Sequence, residues 1–161
     1  MLGHPQVIDS LNALLAGELT AIDQYFAHSR MYRDWGLEEL AEHTEHETEE
    51  EREHADLLTR RILFLEGRPD LSKRETLHVG TTVPEMLQND LEVELRVIAN
   101  LRRAMALCES VQDYETRSIL QKLLDDTEED HTWWLETQLG LIGKVGLQNY
   151  LQSHIGRPGA S

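Results

Sequence analysis

The sequence predicts an all-α fold: a four-helix bundle with one long crossover and a short fifth helix, in a single domain over residues 1–161. Three observations predict it. Chain breakers are sparse and well spaced. Between them, apolar residues recur at steps of three and four, the period of a helix with one buried face. Near the middle of each long stretch, a glutamate interrupts the apolar seam. At 161 residues the chain has the length of one domain with a sizeable core.

The first helix, near 5–34, opens at Pro5 and closes before Gly36; its seam reads Leu11, Leu14, Glu18, Ile22, Tyr25, Ser29. The second, near 38–65, ends at Gly67-Arg68-Pro69 and carries Leu40, Thr44, Glu47, Glu51, His54, Leu58, Ile62 and Leu65. Residues 66–83 form the long connection, the mark of a crossover between parallel helices. Pro84 suits the first turn of a third helix near 84–111, with Leu87, Leu91, Glu94, Ile98, Leu101 and Met105 inward. Asp113 or Ser110 caps a fourth near 114–143, whose seam is Leu120, Leu124, Glu128, His131, Leu135, Gln138 and Ile142. The breaker run from Gly143 to Gly146 precedes a fifth, short helix near 147–155, and the tail IGRPGAS is expected to fray.

Composition narrows the function. Thirty acidic against fifteen basic side chains leave a formal charge of −15. Neither nucleic acid nor an anionic membrane surface suits such a chain; cations do. The single cysteine, Cys108, excludes an internal disulfide and a cysteine-based metal cluster, and fits a reducing compartment. No leader is visible at MLGHPQVIDS and no apolar run reaches the ~20 residues of a membrane span, so a soluble, cytoplasmic protein is expected.

The chemistry lies in the interrupted seams. Glu18 and Glu94 are 76 residues apart; Glu51-x-x-His54 and Glu128-x-x-His131 are 77 apart, so the chain's two halves echo each other. Four buried carboxylates would repel one another severely without partners. Two divalent cations at their centre cancel the charge, and oxygen-rich ligation with one imidazole per metal suits iron or manganese and accepts zinc. A Glu from each of two helices and Glu-x-x-His from the other two is the known di-metal pattern of ferritin-like bundles.

Along nearly its whole length the chain resembles the bacterioferritins. The likeness rests on Gly17-Glu18-Leu19, Gln24-Tyr25-Phe26, Glu51-x-x-His54-Ala55-Asp56, Ile62-Leu63-Phe64-Leu65-Glu66-Gly67, Glu85-Met86-Leu87, Asp90-Leu91, Glu94, Glu128-x-x-His131, Trp134-Leu135-Glu136-Thr137 and Gly146-Leu147-Gln148-Asn149-Tyr150-Leu151. The resemblance implies a hollow shell of 24 subunits and a ferroxidase centre holding two irons per subunit. Glu18 and His54 would hold one iron, Glu94 and His131 the other, with Glu51 and Glu128 bridging. Fe(II) would be oxidised by dioxygen or peroxide, ferric mineral would collect inside, and a small ferredoxin is the candidate reductant for its release. Two other readings remain open: a structural subunit of a mixed shell, and a discrete di-iron peroxidase or oxygenase.

Two departures from the family stand out. The segment between Glu94 and Glu128 is one residue longer, which predicts a π-bulge near Thr127. The family's haem-ligating methionine directly follows the bridging Glu of the second helix, and Arg52 stands there. Arginine has no lone pair for iron, so shells of this chain alone are expected to lack that haem, whereas a methionine-bearing partner subunit could supply it. Accessory candidates are Tyr25, either a core tyrosine or an electron donor, and His46, Glu47 and Glu50, which would face the cavity and pass iron. His28, His43, His78 and His4 read as surface or structural residues, and Trp35, Trp133 and Trp134 as interface packing.

Overall fold

A computed structural model describes residues 1–156; the end of the expected fraying tail lies outside them. The chain is all-helical, with α1 Pro5–Asp34, α2 Glu38–Phe64, α3 Val83–Ser110, α4 Tyr114–Asp126, a π-helical segment Thr127–Thr132, α5 Trp133–Val145 and α6 Leu147–Ser153. The fourth long helix is thus α4, the π segment and α5 in continuous succession. It runs to Val145, since Gly143 stays helical and only Gly146, at φ 84°, breaks the chain.

Local chemistry accounts for the boundaries. The His4 ring accepts from the Gln6 amide at the start of α1, giving that histidine a capping role. Thr82 caps α3 through the Glu85 amide, and Pro84 lies in its first turn. Asp113 caps α4 through the Thr116 amide and also faces Arg61 of α2, at 3.4 Å. Gly36 leaves α1 at φ 78°, and the Leu37 amide closes on the Tyr32 carbonyl.

The α1–α2 pair is antiparallel, with the Gly3 amide bonded to the Leu65 carbonyl where α1 begins and α2 ends. Residues 65–82 then run back along α1, so that α3 starts at the end where α2 started. Side chains of α1 hold this crossover. Asn12 bonds the backbone of Arg68 and Asp70, Thr20 takes the Glu75 amide, Gln24 the His78 amide and His28 the Gly80 amide. His28 is fully buried and its Nδ1 lies 2.8 Å from Asp90 of α3, so it is an internal latch and has no surface role. A Cβ at Gly80 would come within 2.8 Å of the Met86 backbone nitrogen, which is why glycine closes the turn.

The apolar core falls into two clusters. One gathers Leu11, Leu15, Leu58, Ile62, Leu101 and Leu120; the other gathers Tyr32, Leu40, Met86, Leu87, Leu135 and Tyr150. Glu47, Glu51 and His54 on α2, Glu94 on α3 and His131 on the fourth helix lie between the two, and Glu18 of α1 meets His54, so a polar layer crosses the middle of the bundle.

Candidate metal centre

Each long helix contributes to that layer. Glu18 comes from α1, Glu47, Glu50, Glu51 and His54 from α2, Glu94 from α3 and His131 from the π segment. Glu18, Glu51, His54, Glu94 and His131 are each at most 2% exposed. Their donor atoms form two triads, Glu18–Glu51–His54 and Glu51–Glu94–His131, each within 4.8 Å, with Glu51 common to both. The His54 Nδ1 lies 3.7 Å from Glu18 and 3.5 Å from Glu51; the His131 Nδ1 lies 2.8 Å from Glu51 and 3.5 Å from Glu94. The two imidazoles are 6.0 Å apart between centroids and nearly parallel.

A third triad continues outward from the second. His131 Nε2 is 2.6 Å from both Glu47 and Glu50, and Glu50 is 2.9 Å from the exposed ring of His46. A cavity of about 280 Å³ lined by His43, His46, Glu47, Glu50, Asp130, Trp133 and Trp134 opens there. His43 stacks on Trp134 at 3.6 Å and lies 3.0 Å from Glu47, which gives it a place beside the site.

The electrostatics follow from crowding anions in a dry layer. Burial, then the charge of Glu51, pushes the Glu18 carboxyl well above its ordinary range. Burial alone would lower His54, but its contacts with Glu18 and Glu51 outweigh that and raise it to about 11. His131 rises for the same reason, through Glu47, Glu51 and Glu94. Burial would raise Glu47, yet His131 and His43 hold it down at about 2. Without metal, the surrounding carboxylates favour the protonated form of both imidazoles. Both oxygens of Glu18 and of Glu51 lack a hydrogen-bond partner among the described residues, as does one oxygen of Glu94. Those oxygens are hard donors, held only by ion-pair contacts with the imidazoles, of the type that divalent iron or manganese takes.

Tyr25 is buried and its hydroxyl donates to Glu94. Burial, then the charges of Glu94, Asp90 and Glu51, raises its pKa well above that of a free tyrosine. Asp126 was not among the sequence candidates. Its carboxylate lies 3.0 Å from His54 Nε2, behind the ring, where it fixes the imidazole orientation.

Glu128 departs from the expected pattern. It is not drawn into any triad: its side chain is 37% exposed and pairs with Arg102 of α3. The physical reason is the π segment. Bonds from i to i+5 widen the turn by about one residue, so positions three apart, which share a face in an α-helix, no longer do, while positions four apart still do. Thr127, fully buried, is therefore the inward neighbour of His131, and Glu128 is rotated away. The expected bulge near Thr127 is present, and it displaces the very carboxylate whose spacing suggested the fourth ligand.

Arg52 lies on the outer side of α2, well exposed and 3.8 Å from Glu49.

Residues 8–145 match the family described as Ferritin-like domain. The chain is similar to the bacterial ferritin of Synechocystis sp., at 61% identity over 96% of this chain and 99% of the relative. It is 59% identical to the bacterial ferritin of Pseudomonas aeruginosa, over 96% of this chain and all of the relative. It is 42% identical to the bacterioferritin of Mycolicibacterium paratuberculosis, over 98% and 99%. Four antiparallel and crossover-linked helices around a buried Glu/His layer, and likeness over the full length of these relatives, have one meaning: the chain belongs to the ferritin-like family, in its bacterioferritin branch.

Proposed function

We propose that this chain is an iron-storage subunit that oxidises Fe(II) at an intra-subunit di-iron centre and delivers Fe(III) to a mineral inside a shell of 24 copies. The observation that carries this is the pair of buried triads sharing Glu51, whose carboxylate oxygens largely lack hydrogen-bond partners. Glu18 and His54 hold one iron, Glu94 and His131 the other, and Glu51 bridges. Ligation takes the neutral form of each imidazole, so Fe(II) competes at His54 and His131 with the protons that the surrounding carboxylates favour there. Two Fe(II) give two electrons to one dioxygen, which takes two protons and leaves as hydrogen peroxide; peroxide as oxidant takes two electrons and two protons to give two waters.

Glu47, Glu50 and His46 lead from the third triad toward the neighbouring cavity and form the passage for iron between the centre and the interior. Tyr25 is placed to give an electron when a single iron pair must reduce dioxygen further, its proton passing to Glu94. The overall charge of −15 serves cation entry.

Homomeric shells carry no haem ligated by two methionines. Arg52, in the axial position that the family resemblance indicates, offers donors only. A mixed shell with a haem-bearing subunit would supply both the haem and an electron route from a small ferredoxin. No helix among the described residues is long and apolar enough to cross a membrane.

Size separates this reading from a discrete di-iron oxygenase. Twenty-four copies of an 18.5 kDa chain give a particle of about 440 kDa (24 × 18.5), and a dimer in solution would contradict the shell. Mixing Fe(II) with air-saturated protein should give ferric absorbance far faster than buffer alone, and equal rates would contradict the ferroxidase.

A further inference from the structure

The π segment Thr127–Thr132 lies inside an otherwise continuous helix, and it faces the metal centre. It holds Thr127 inward, with its hydroxyl bonded to the Leu123 carbonyl at 2.8 Å, and turns Glu128 out to Arg102. Each buried triad meanwhile has only three donors, and carboxylate oxygens of Glu18, Glu51 and Glu94 are left without partners. A fourth carboxylate is thus one residue out of phase with a site that lacks donors.

We propose that this segment is a register switch: metal loading moves the wide turn toward the N-terminus, past Glu128, and brings that carboxylate inward as a ligand while Thr127 rotates out. The inference rests on the di-metal reading of the centre. Once residues 128–131 take α spacing, Glu128 and His131 share a face, as Glu51 and His54 do on α2. The movement exchanges i→i+5 backbone bonds for i→i+4 bonds one for one, so the helix loses no bond overall. What opposes it is the Glu128–Arg102 pair, whose partners are 37% and 64% exposed, and the packing of the Thr127 side chain. Both are weak against a divalent cation facing buried carboxylates whose oxygens have no hydrogen-bond partner. Arg102 is therefore a positioning residue that competes with the metal for Glu128 and sets the affinity of the last ligand.

Co(II) binding without oxygen tests this in the assembled protein. Arg102→Met should tighten the weaker of two Co(II) steps by about two- to five-fold, the size of releasing one half-exposed ion pair. Glu128→Gln should weaken that step about ten-fold or more, and in the double variant the gain from Arg102→Met should vanish. Zn(II) should alter backbone amide exchange across residues 123–131 in the parent but not in Glu128→Gln. An unchanged isotherm for Arg102→Met or for Glu128→Gln, or unchanged parent exchange on Zn(II) loading, overturns the switch. A parent that fails to bind two Co(II) per chain overturns the di-metal reading itself, and the switch with it.

Discussion

Replacing Glu51 with glutamine separates what the centre does for the metal from what it does for the fold. Glu51 is 1% exposed and is the one carboxylate common to both triads. The substitution keeps its shape and removes its charge. In the metal-free chain His131 loses its 2.8 Å ion-pair contact with Glu51, worth no more than about 3 kcal/mol, but keeps Glu47, Glu50 and Glu94. His54 keeps Glu18 and Asp126, and the glutamine carbonyl can still accept from His131. The repulsion by which Glu51 raises the Glu18 pKa is also relieved. The net loss should be no more than about 2 kcal/mol, or about 4–8 °C in Tm for a chain of this length. Metal binding has no such compensation, because both triads lose a donor. Even groups behind the ligands are worth about 10–100-fold in affinity, so both Co(II) steps should weaken by at least about 100-fold. Anaerobic calorimetric titration and thermal unfolding of metal-free protein read the two quantities. Co(II) affinities within about three-fold of the parent would refute the bridging position. A metal-free Tm lowered by more than about 15 °C would show a structural carboxylate instead.

Three further outcomes are expected. Initial Fe(II) oxidation at subsaturating iron should slow as ionic strength rises, since salt screens the attraction of an acidic protein for cations; equal initial rates at low and high salt contradict steering. Asp113→Ala should cost about 1 kcal/mol or more through the lost cap of α4 and the lost Arg61 contact. Burial opposes ionisation of Asp113, but Thr116 and Arg61 outweigh it and lower its pKa. Its contribution is therefore present above the ordinary aspartate range and lost as pH falls below it, so the stability gap between parent and variant should narrow as pH falls through and below that range; a gap that stays constant contradicts the assignment. Protein made with excess haem precursor should show no stoichiometric low-spin Soret band, whereas one haem per two chains would overturn the reading of Arg52.

The bundle, the crossover and most of the centre were legible because a helix repeats. Glu18, Glu51, His54 and Glu94 lie in phase with apolar residues three and four positions away, and that phase alone put them on one inner layer. The same rule misplaced Glu128. Spacing of three implies a shared face only where the turn is α, and the extra residue widens the turn there. The added length announced the bulge but not which side chain it would turn outward. His28 looked like a surface or structural histidine because the covering strand of chain, residues 66–82, carries no periodic signal to show where it lies. Its burial comes from the Gly80 amide and Asp90, which the sequence does not place beside it. Asp126 was missed for a similar reason: it stands off the apolar seam and reaches His54 only because the helices are packed.

In the proposed function two irons are bound and oxidised together within each chain. Anaerobic titration with Fe(II), followed by rapid mixing with dioxygen, tests it most directly. The titration should break at two Fe(II) per chain, and a fast ferric phase should saturate in amplitude at that ratio. In Glu51→Gln that phase should be lost, leaving a rate near that of buffer. A fast phase in the parent that grows with added iron without a break, or that survives in Glu51→Gln at full amplitude, would contradict it.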